Sequence, residues 1–400
     1  MPNLNKQEQE TPLHVVILAA GQGTRMNASV PKVLHQLAGR PLLSWVIAAA
    51  TALNPAKIHI IEVYEGDQLR AAFTAEKHLH WVRQEAQLGT AHAVMQALPH
   101  LPEEAQIMVL AGDVPLIQPA TLSQLLPLGK EDALALLVAQ VADATGYGRI
   151  LRDINQQVIG IVEEKDASPA QRLIQEYYTG ICVASARALK QWLPHIKPHN
   201  RQNEYYLTDL VSISRVQGGS IQTVKAPQLL EVQGVNSQLE LAKLERVFQL
   251  REAERLLLQG VGMADPARFD VRGELTVGKE VFFDINVICE GTVTIEEGCF
   301  IGPNCVLKDV HLGAYTHVLA NSVLEGVTTG THCSIGPFAR LRPQVTLASH
   351  CKIGNFVEVK QTQFGAHTKA SHLTYLGDTI IGEHVNIGAG TITCNYDGEH

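Results

Sequence analysis

Two glycines, an arginine and a Pro-Lys pair follow an apolar run in VVILAAGQGTRMNASVPK. Glycines let backbone N–H groups approach a phosphate because no Cβ stands in the way. Arg25 and Lys32 add positive charge beside this loop, and the third glycine of a dinucleotide-binding G-x-G-x-x-G is absent. The pattern suits a loop that holds phosphates, and the alternatives are glycines that only allow the chain to turn and a solvated surface lysine at Lys32.

A carboxylate follows a second apolar run, in AQIMVLAGDVPL, where Asp113 ends the strand. A carboxylate there can hold Mg²⁺, which bridges phosphates. The alternative is that Asp113 only caps the strand or forms a turn. Both this residue and the glycine loop follow strands, and ligands of parallel α/β sheets bind beyond the carboxyl ends of the strands.

The elements that must position these residues alternate between strands and helices. HVVILAA, IHIIEVY and AQIMVLA have the character of strands, whereas LLSWVIAAATAL and GTAHAVMQAL have that of helices. Apolar strands that do not alternate with polar residues and are separated by helices are typical of sheets buried on both faces. We therefore expect an α/β domain with a Rossmann-like, mostly parallel sheet.

A repeat with a period of six residues replaces the helical pattern after about residue 265. Aliphatic residues open its units at Ile295, Ile301, Ile335, Leu341, Leu347, Ile353, Val359, Ile381 and Ile387. This period predicts a left-handed parallel β-helix with the aliphatic side chains stacked inside and small residues at the corners.

A long helical stretch precedes the β-helix. Its apolar residues Leu241, Leu244, Phe248 and Leu256 share one face, and Gly260 is a candidate C-cap. It predicts a spacer between two domains, and the alternative is a core helix of the first domain. We expect a first domain at 1–236, a linker helix at 237–262 and the β-helix at 263–400.

Composition limits the class of protein. The 400 residues are 46% hydrophobic and 18% charged, with a net charge of −8, so no basic surface predicts a nucleic-acid partner. Seven cysteines without a C-x-x-C pattern disfavour a disulfide framework and a zinc site and fit a reducing cytoplasm. The polar first residues do not resemble a signal peptide, and no apolar run is long enough for a membrane span.

The glycine loop is similar to the sugar-phosphate nucleotidyltransferase signature L-x-x-G-x-G-T-x-[ML]-x-x-x-x-P-K. QLGTAHA, GDVPL, TGYGRI, GIVEEKDA and EYYLTD narrow the resemblance to the bacterial family of bifunctional N-acetylglucosamine-1-phosphate uridylyltransferase/glucosamine-1-phosphate acetyltransferases. FARLRPQ, GNFVEVKQT, ASHLTYLGD and VNIGAGTITCNYDG resemble its acetyltransferase half, so the resemblance covers residues 13–400.

The resemblance implies two reactions. Acetyl-CoA acetylates glucosamine-1-phosphate, and UTP then gives its uridylyl group to N-acetylglucosamine-1-phosphate with release of pyrophosphate. It also implies Mg²⁺, a homotrimer, a cytoplasmic location and a place in the synthesis of peptidoglycan and lipopolysaccharide precursors.

For uridylyl transfer the resemblance implies Arg25 and Lys32 as catalytic cations and Asp113 with Asn236 as Mg²⁺ ligands. Gln84, Gly89 and Thr90 would read uracil. The full set implied to bind UTP or its sugar product is Leu18, Ala19, Ala20, Gly21, Lys32, Gln84, Gly89, Thr90, Ala111, Gly112, Asp113, Gly148, Glu163, Tyr178 and Asn236. Gly148 and Glu163 would face the sugar. Tyr178 stands where the family typically has Asn, so we expect a changed sugar contact there.

For acetyl transfer the resemblance implies His372 as general base, since imidazole exchanges a proton near neutral pH. Glu358 would orient it, and the remaining implied residues bind substrates. Arg342 and Lys360 would hold the sugar phosphate. Tyr375 and Asn386 would hold sugar hydroxyls, and Ala389, Asn395 and Tyr396 would face acetyl-CoA or the sugar.

The family pattern continues beyond CNYDGEH with further coils and a lysine. We therefore expect this chain to transfer uridylyl groups well and acetyl groups poorly, with acetyl-CoA affinity the more affected.

Two other functions fit parts of the sequence. A uridylyltransferase with one activity would use the β-helix only for oligomerisation, but a scaffold does not require SHLTYLGD, Arg342 and Lys360. A regulatory subunit without catalysis would not require Arg25, Lys32 and Asp113.

Overall fold

The computed structural model describes residues 11–21, 23–63, 67–395 and 398. It divides into two compact units. The first contains the described residues up to His35 together with Pro41–Glu240, and the second combines Gln36–Arg40 with the described residues from Leu241 onward.

The strands up to residue 240 mostly belong to one sheet. Their bounds are β1 Leu13–Leu18, β2 Gln36–Leu37, β3 Arg40–Pro41, β4 Lys57–Val63, β5 Leu79–Gln84, β6 Gln106–Ala111, β7 Ala133–Gln140, β8 Gly148–Arg152, β9 Val158–Val162, β10 Glu176–Ser185 and β11 Ser220–Lys225. The helices are α1 Leu42–Thr51, α2 Asp67–Ala72, α3 Thr90–Ala97, α4 Pro119–Ser123, α5 Pro169–Arg172, α6 Ala186–Trp192, α7 Leu210–Val216 and α8 Gln238–Leu258. Short 3₁₀ helices lie at Thr24–Met26, Lys32–Leu34, Leu98–His100, Leu193–His195, Leu207–Asp209, Leu229–Val232 and Pro266–Arg268.

The main sheet has the order β11-β7-β10-β6-β1-β4-β5, with β8 on β10 and β9 on β8. β1 pairs in parallel with β4 and β6, and β10 runs antiparallel to β6 and β7. The predicted mostly parallel sheet is confirmed. Because the strand order reverses at β1, a crevice opens beyond the paired residues Leu18 and Ala111.

Both faces of this sheet are buried, which explains the apolar run of β1. Val15 and Ile17 belong to the core on one face, and Val16 belongs to the core on the other. All three side chains are inaccessible to solvent. A strand buried on both faces needs no polar residue in alternate positions.

Four histidines form a cluster in this unit. His59 is buried, with its Nε2 3.0 Å from His14 Nδ1 and its Nδ1 3.0 Å from His80 Nδ1. His100 stacks edge-on against His80. Burial, reinforced by the other three histidines and Lys57, lowers the pKa of His59 to about 3. Burial also lowers the pKa values of His14 and His80.

We expect the free energy of unfolding to fall as the pH drops from 6.5 towards 3. The unfolded His59 binds a proton near pH 6.5, whereas the native one does so only near pH 3. The unfolded chain therefore binds more protons in this window, and His59 contributes a slope of up to about 1.4 kcal/mol per pH unit. Urea unfolding between pH 4.5 and 7.5 measures the slope, which His59→Gln should flatten and the exposed-site control His195→Gln should not. Equal slopes for the first variant and the parent would contradict this account.

The second unit consists mainly of short parallel strands. These are β12 Gly262–Met263, β13 Phe269–Val277, β14 Phe282–Phe283, β15 Val287–Ile295, β16 Phe300–Ile301, β17 Val306–Lys308, β18 His311–Leu312, β19 His317–Val318, β20 Val323–Glu325, β21 Val327–Thr329, β22 Ser334–Ile335, β23 Arg340–Leu341, β24 Val345–Leu347, β25 Lys352–Lys360, β26 Gln363–Phe364, β27 Lys369–Gly377, β28 Ile380–Ile381 and β29 Asn386–Ile387. Each pairs mainly with strands one coil away, 17 or 18 residues along the chain. The predicted left-handed parallel β-helix is confirmed.

The residues that repeat with a period of six form the interior of this coil. The aliphatic residues that open the units are buried, except for the partly buried Ile387. Inward side chains of successive coils stack in columns, so one period sets both the strand spacing and the core.

The corners differ from the expectation of small residues. Left-handed backbone conformations occur at glycines, among them Gly291, Gly298 and Gly326, but also at larger side chains that form columns one coil apart. One column is Tyr315, His332, His350, His367 and His384, whose neighbouring rings stack at centroid distances of 5.1, 5.0, 4.7 and 4.8 Å. Another is Asn286, Asn304, Asn321, Phe338, Phe356 and Leu373. Side-chain contact along a column offsets the backbone cost that small residues were expected to avoid.

Helix α8 ends where the sequence predicted. Gly260 has a φ of +91°, and the N–H of Val261 donates to the carbonyl of Leu256 at 3.1 Å, as in a glycine C-cap. Ala253 and Leu256 are buried in the β-helix core. Within the described residues, no helix has the length and apolar character needed to cross a membrane.

Candidate functional site

A cleft of about 470 Å³ lies at the carboxyl ends of β1 and β6. Its lining includes many of the residues predicted to bind the nucleotide sugar: Leu18, Gly21, Arg25, Lys32, Thr90, Ala111, Asp113, Gly148, Glu163, Tyr178 and Asn236. A wider cavity of about 800 Å³ lies at the opposite, amino-terminal ends of the strands and contains none of the predicted residues. The predicted residues therefore meet where parallel α/β sheets bind ligands.

Two cationic side chains and two side-chain oxygen atoms converge in this cleft. Lys32 Nζ forms a short ion pair with Asp113 Oδ2 and donates to Asn236 Oδ1 at 3.2 Å. Arg25 Nη2 donates to the same Asn236 oxygen at 2.9 Å. The backbone N–H of Asn236 donates to Glu240 Oε2 at 2.6 Å, which fixes the position of this residue.

The glycine loop brings Lys32 to this point. Gly23 has a φ of +61°, and a Cβ built there would lie 2.7 Å from Lys32 Cβ. The loop therefore turns in a left-handed conformation and packs directly against the lysine stem. Both features require glycine at this position.

A second cleft, of about 390 Å³, adjoins the first and shares Leu18, Gly21 and Thr90 with it. It also contains Ala20, Gln84 and Gly89, so it holds all three residues expected to read uracil, Gln84, Gly89 and Thr90. Gln84 is buried, and its Nε2 lies 2.9 Å from His92 Nδ1. Its amide is thus held beside the start of α3.

The lining of the larger cleft also includes Gly148 and Glu163. Thr208 Oγ1 donates to Glu163 Oε1 at 3.1 Å, and burial raises the pKa of this carboxyl despite that bond. Buried Arg149 lies 2.7 Å from Glu164 Oε2, which also accepts from the N–H of Gly146 at 3.2 Å. An ion pair therefore ties the glycine turn to the strand end that carries Glu163.

Tyr178 lines the cleft, but its side chain is buried in the core on one face of the sheet. Burial and the adjacent Cys182 thiol hold the pKa of the phenol well above its usual range. The two remaining predicted residues line neither cleft. Ala19 donates its N–H to the carbonyl of Ile61 at 2.9 Å, and Gly112 donates its N–H to that of Leu18 at 3.0 Å.

The β-helix collects a second group of predicted residues on one face. Arg342 Nη1 donates to Glu358 Oε1 at 3.1 Å. Lys360 Nζ lies 3.5 Å from Asp378 Oδ2, which also accepts a short bond from Asn395. Asn395 Nδ2 donates to the Tyr375 hydroxyl at 3.2 Å. The Asn395 amide, with the charges of Lys360 and Arg342, lowers the pKa of Asp378.

His372 has a different partner from the one expected. Its Nδ1 lies 2.8 Å from Asn355 Oδ1, whereas Glu358 contacts Arg342. The register explains the difference, because Asn355 pairs with His372 and Glu358 pairs with Tyr375. Within the described chain Glu358 therefore contacts Arg342 rather than His372, and the orienting role expected of Glu358 stays a prediction.

Three predicted residues stand apart from these contacts. Asn386 and Ala389 are exposed near the end of the described coils. Tyr396 lies outside the described residues.

Comparison with known proteins gives consistent matches. A model of the MobA-like NTP transferase domain matches residues 15–194. The bifunctional protein GlmU of Marinobacter nauticus is 50% identical over 388 residues, which are 97% of this chain and 85% of that protein. The bifunctional protein GlmU of Legionella pneumophila is 50% identical over 391 residues, which are 96% of this chain and 85% of that protein. This chain belongs to the GlmU family.

Membership of the GlmU family confirms the predicted multifunctional transferase with a nucleotidyltransferase domain. Among solved structures, a nucleotidyl transferase from Methanothermobacter is 18% identical, with a TM-score of 0.45, over 60% of this chain and 99% of that one.

Sequence reasoning missed several residues of this GlmU family member that contact the predicted ones, among them Thr208 beside Glu163 and His92 beside Gln84. Gln87 donates to the carbonyl of Ala20 at 2.7 Å, and Glu240 holds Asn236. Asp378 joins Lys360 to Asn395, and Asn355 contacts His372. The contact between Asn355 and His372 could have been predicted from the sequence, because the two residues are 17 positions apart, which is one coil of the β-helix.

We expect Gly23→Ala to reduce uridylyl transfer by about 10- to 100-fold. A Cβ in left-handed backbone costs about 1–2 kcal/mol, and displacing a catalytic group by about 1 Å can cost 10²-fold. Gly160→Ala is the matched control, since its nearest neighbour would lie 3.8 Å from the new Cβ. Pyrophosphate release from UTP and N-acetylglucosamine-1-phosphate measures the effect. Equal rates in the two variants would contradict the packing role of Gly23.

Proposed function

We propose that this GlmU family member makes UDP-N-acetylglucosamine in two steps at two separate sites. The β-helix acetylates glucosamine-1-phosphate with acetyl-CoA. The α/β domain then transfers the uridylyl group of UTP to N-acetylglucosamine-1-phosphate and releases pyrophosphate. The observation that carries the proposal is the convergence of Lys32, Arg25, Asp113 and Asn236 at the carboxyl ends of β1 and β6.

Asp113 and Asn236 fit a Mg²⁺ ion. Their side-chain oxygens both contact Lys32 Nζ, so two oxygen donors already surround one positive centre. Mg²⁺ prefers oxygen ligands and takes one or two from the protein and the rest from phosphates and water. When bound, the ion would neutralise phosphate charge.

Lys32 and Arg25 supply the remaining charge neutralisation. The sugar phosphate attacks the α-phosphorus of UTP, and negative charge accumulates on the oxygens of the leaving pyrophosphate. Two cations held beside those oxygens stabilise that charge more than they stabilise the ground state. Gln84 in the adjoining cleft would pair with the uracil edge, and Glu163 would accept from sugar hydroxyls.

A break in charge alternation supports the sugar-phosphate site of the β-helix. One column of side chains on neighbouring coils alternates between positive and negative charge: Arg272, Glu290, Lys308 and Glu325. Arg342 and Lys360, both cations, directly follow the paired residues Leu341 and Val359 of the next two coils. Each of these cations has a carboxylate beside it, Glu358 for Arg342 and Asp378 for Lys360, and a phosphate dianion would bind to the two cations together.

His372 would remove a proton from the sugar amine as its nitrogen attacks the thioester carbonyl. The new C–N bond forms, the C–S bond breaks, and coenzyme A leaves as a thiolate that takes up a proton. Tyr375 and Asn386 would bind the sugar hydroxyls. Ala389, Asn395 and Tyr396 would face acetyl-CoA or the sugar. Arg342, held by Glu358, and Lys360 would bind the sugar phosphate.

The proposal includes the domain limits 1–236, 237–262 and 263–400, a cytoplasmic location and a role in peptidoglycan and lipopolysaccharide precursor synthesis. The family resemblance supports each of these. Separate assays of the two half-reactions test the function: pyrophosphate release reports uridylyl transfer, and thiol release reports acetyl transfer. Uridylyl transfer without any thiol release would favour the alternative of one activity on an oligomerising β-helix.

We expect a homotrimer in solution, because a β-helix presents flat faces and cyclic assembly gives acetyl-CoA an enclosed site between them. Light scattering at micromolar concentration should give a mass about three times the 43.6 kDa of the chain. A monomer mass would contradict the trimer.

A further inference from the structure

We propose that Asn355 is a positioning residue that holds the His372 imidazole in its Nδ1–H tautomer, with Nε2 free to accept the proton of the sugar amine. The inference rests on the proposed role of His372 as general base. Neither sequence pattern nor family resemblance assigned a role to Asn355.

The geometry of the pair carries the inference. His372 Nδ1 lies 2.8 Å from the amide oxygen of Asn355, within the range of a good hydrogen bond. A carbonyl oxygen only accepts, so the proton of this bond belongs to Nδ1. A neutral imidazole has one N–H, and the opposite nitrogen Nε2 therefore carries a lone pair.

The backbone makes this contact rigid. Asn355 pairs with His372 in the parallel register of β25 and β27, so the two side chains project from adjacent coils. Next to Asn355, a Cβ added to Gly354 would lie 1.9 Å from the carbonyl oxygen of Ser371, the residue before His372. Glycine thus permits the close approach of the two coils at this point.

The contact settles the direction of proton transfer. If Nδ1 were the unprotonated nitrogen, Nε2 would carry the hydrogen and could not act as a base towards a group on its side. Fixing the tautomer through the second nitrogen is a general device of histidine chemistry. An uncharged amide does this without adding a carboxylate, which would favour the imidazolium.

The test combines tautomer measurement with kinetics on the full chain labelled with [¹⁵N]histidine. Long-range ¹H–¹⁵N correlation spectra distinguish the two neutral tautomers, and His372→Gln assigns the resonances. We expect the parent to show the Nδ1–H tautomer and Asn355→Leu to lose it. The kcat for acetyl transfer should fall by about 10- to 100-fold in Asn355→Leu, with KM for glucosamine-1-phosphate changed by less than about twofold.

Two further variants separate positioning from a structural effect. Asn355→Asp keeps the acceptor, so the Nδ1–H tautomer should persist while the acidic limb of the pH–rate profile moves to higher pH. Gln363→Leu replaces an exposed amide elsewhere on the β-helix and should change neither measurement.

An Nε2–H tautomer in the parent would overturn the proposal, as would an unchanged tautomer in Asn355→Leu. A different result would contradict the proposed function. Full acetyl transfer in His372→Gln would show that His372 is not the general base, and the measured tautomer would be unaffected by that result. Because the spectra report the tautomer directly, they decide the positioning role at any level of acetyl-transfer activity.

Discussion

Replacing Lys32 or Asp113 by alanine should reduce uridylyl transfer by about 10²–10³-fold, the usual loss when one electrostatic partner is removed from a preorganised site. Lys32 contacts both Asp113 and Asn236, so its loss removes a cation and also frees the two oxygen donors that it holds. The loss of Asp113 removes the negative charge that orients Lys32 and the proposed Mg²⁺ ligand. Pyrophosphate release measures both variants.

Acetyl transfer provides the internal control for these two variants. The residues proposed for that reaction lie in the β-helix, so thiol release should stay within about twofold of the parent. Lys197→Ala, which alters an exposed lysine of the same α/β unit, should leave uridylyl transfer unchanged. Retained uridylyl transfer in both Lys32→Ala and Asp113→Ala would show that the cleft is not the site of this reaction.

His372→Asn should reduce acetyl transfer by about 10²–10⁴-fold, the range for the loss of a positioned general base. Asparagine retains polarity and similar size but does not take up a proton in the working pH range. Uridylyl transfer should be unaffected because His372 belongs to the other unit. Thiol release from acetyl-CoA in the presence of glucosamine-1-phosphate measures the loss.

The matched control for His372 is His367→Asn. His367 is also exposed and lies on the same β-helix, but its ring stacks between His350 and His384 in a corner column. We expect this control to keep acetyl transfer near that of the parent. Similar losses in both variants would point to damage of the coil rather than removal of a base.

The sequence by itself determined the two architectures and indicated where the two candidate sites lie. Unbroken apolar runs ending at Leu18 and Ala111 marked parallel strands, because a strand buried on both faces has no polar alternation. The six-residue period marked the β-helix, because the aliphatic residues that open its units lie in the core of the coil. Periodicity is a local property of the chain, so it can be read without knowing which segments meet.

Only the tertiary structure decided which side chains touch. Lys32 meets Asp113 and Asn236 across separations of 81 and 204 residues, which no local pattern records. Because of the β-helix register, Asn355 contacts His372 and Glu358 contacts Arg342, although Glu358 is nearer to His372 in the chain. At one column of left-handed corners, the His350 and His367 rings stack on each other from neighbouring coils. In each case the conformation of a residue depends on a contact with a residue that is distant in the sequence. Only folding brings the two residues together.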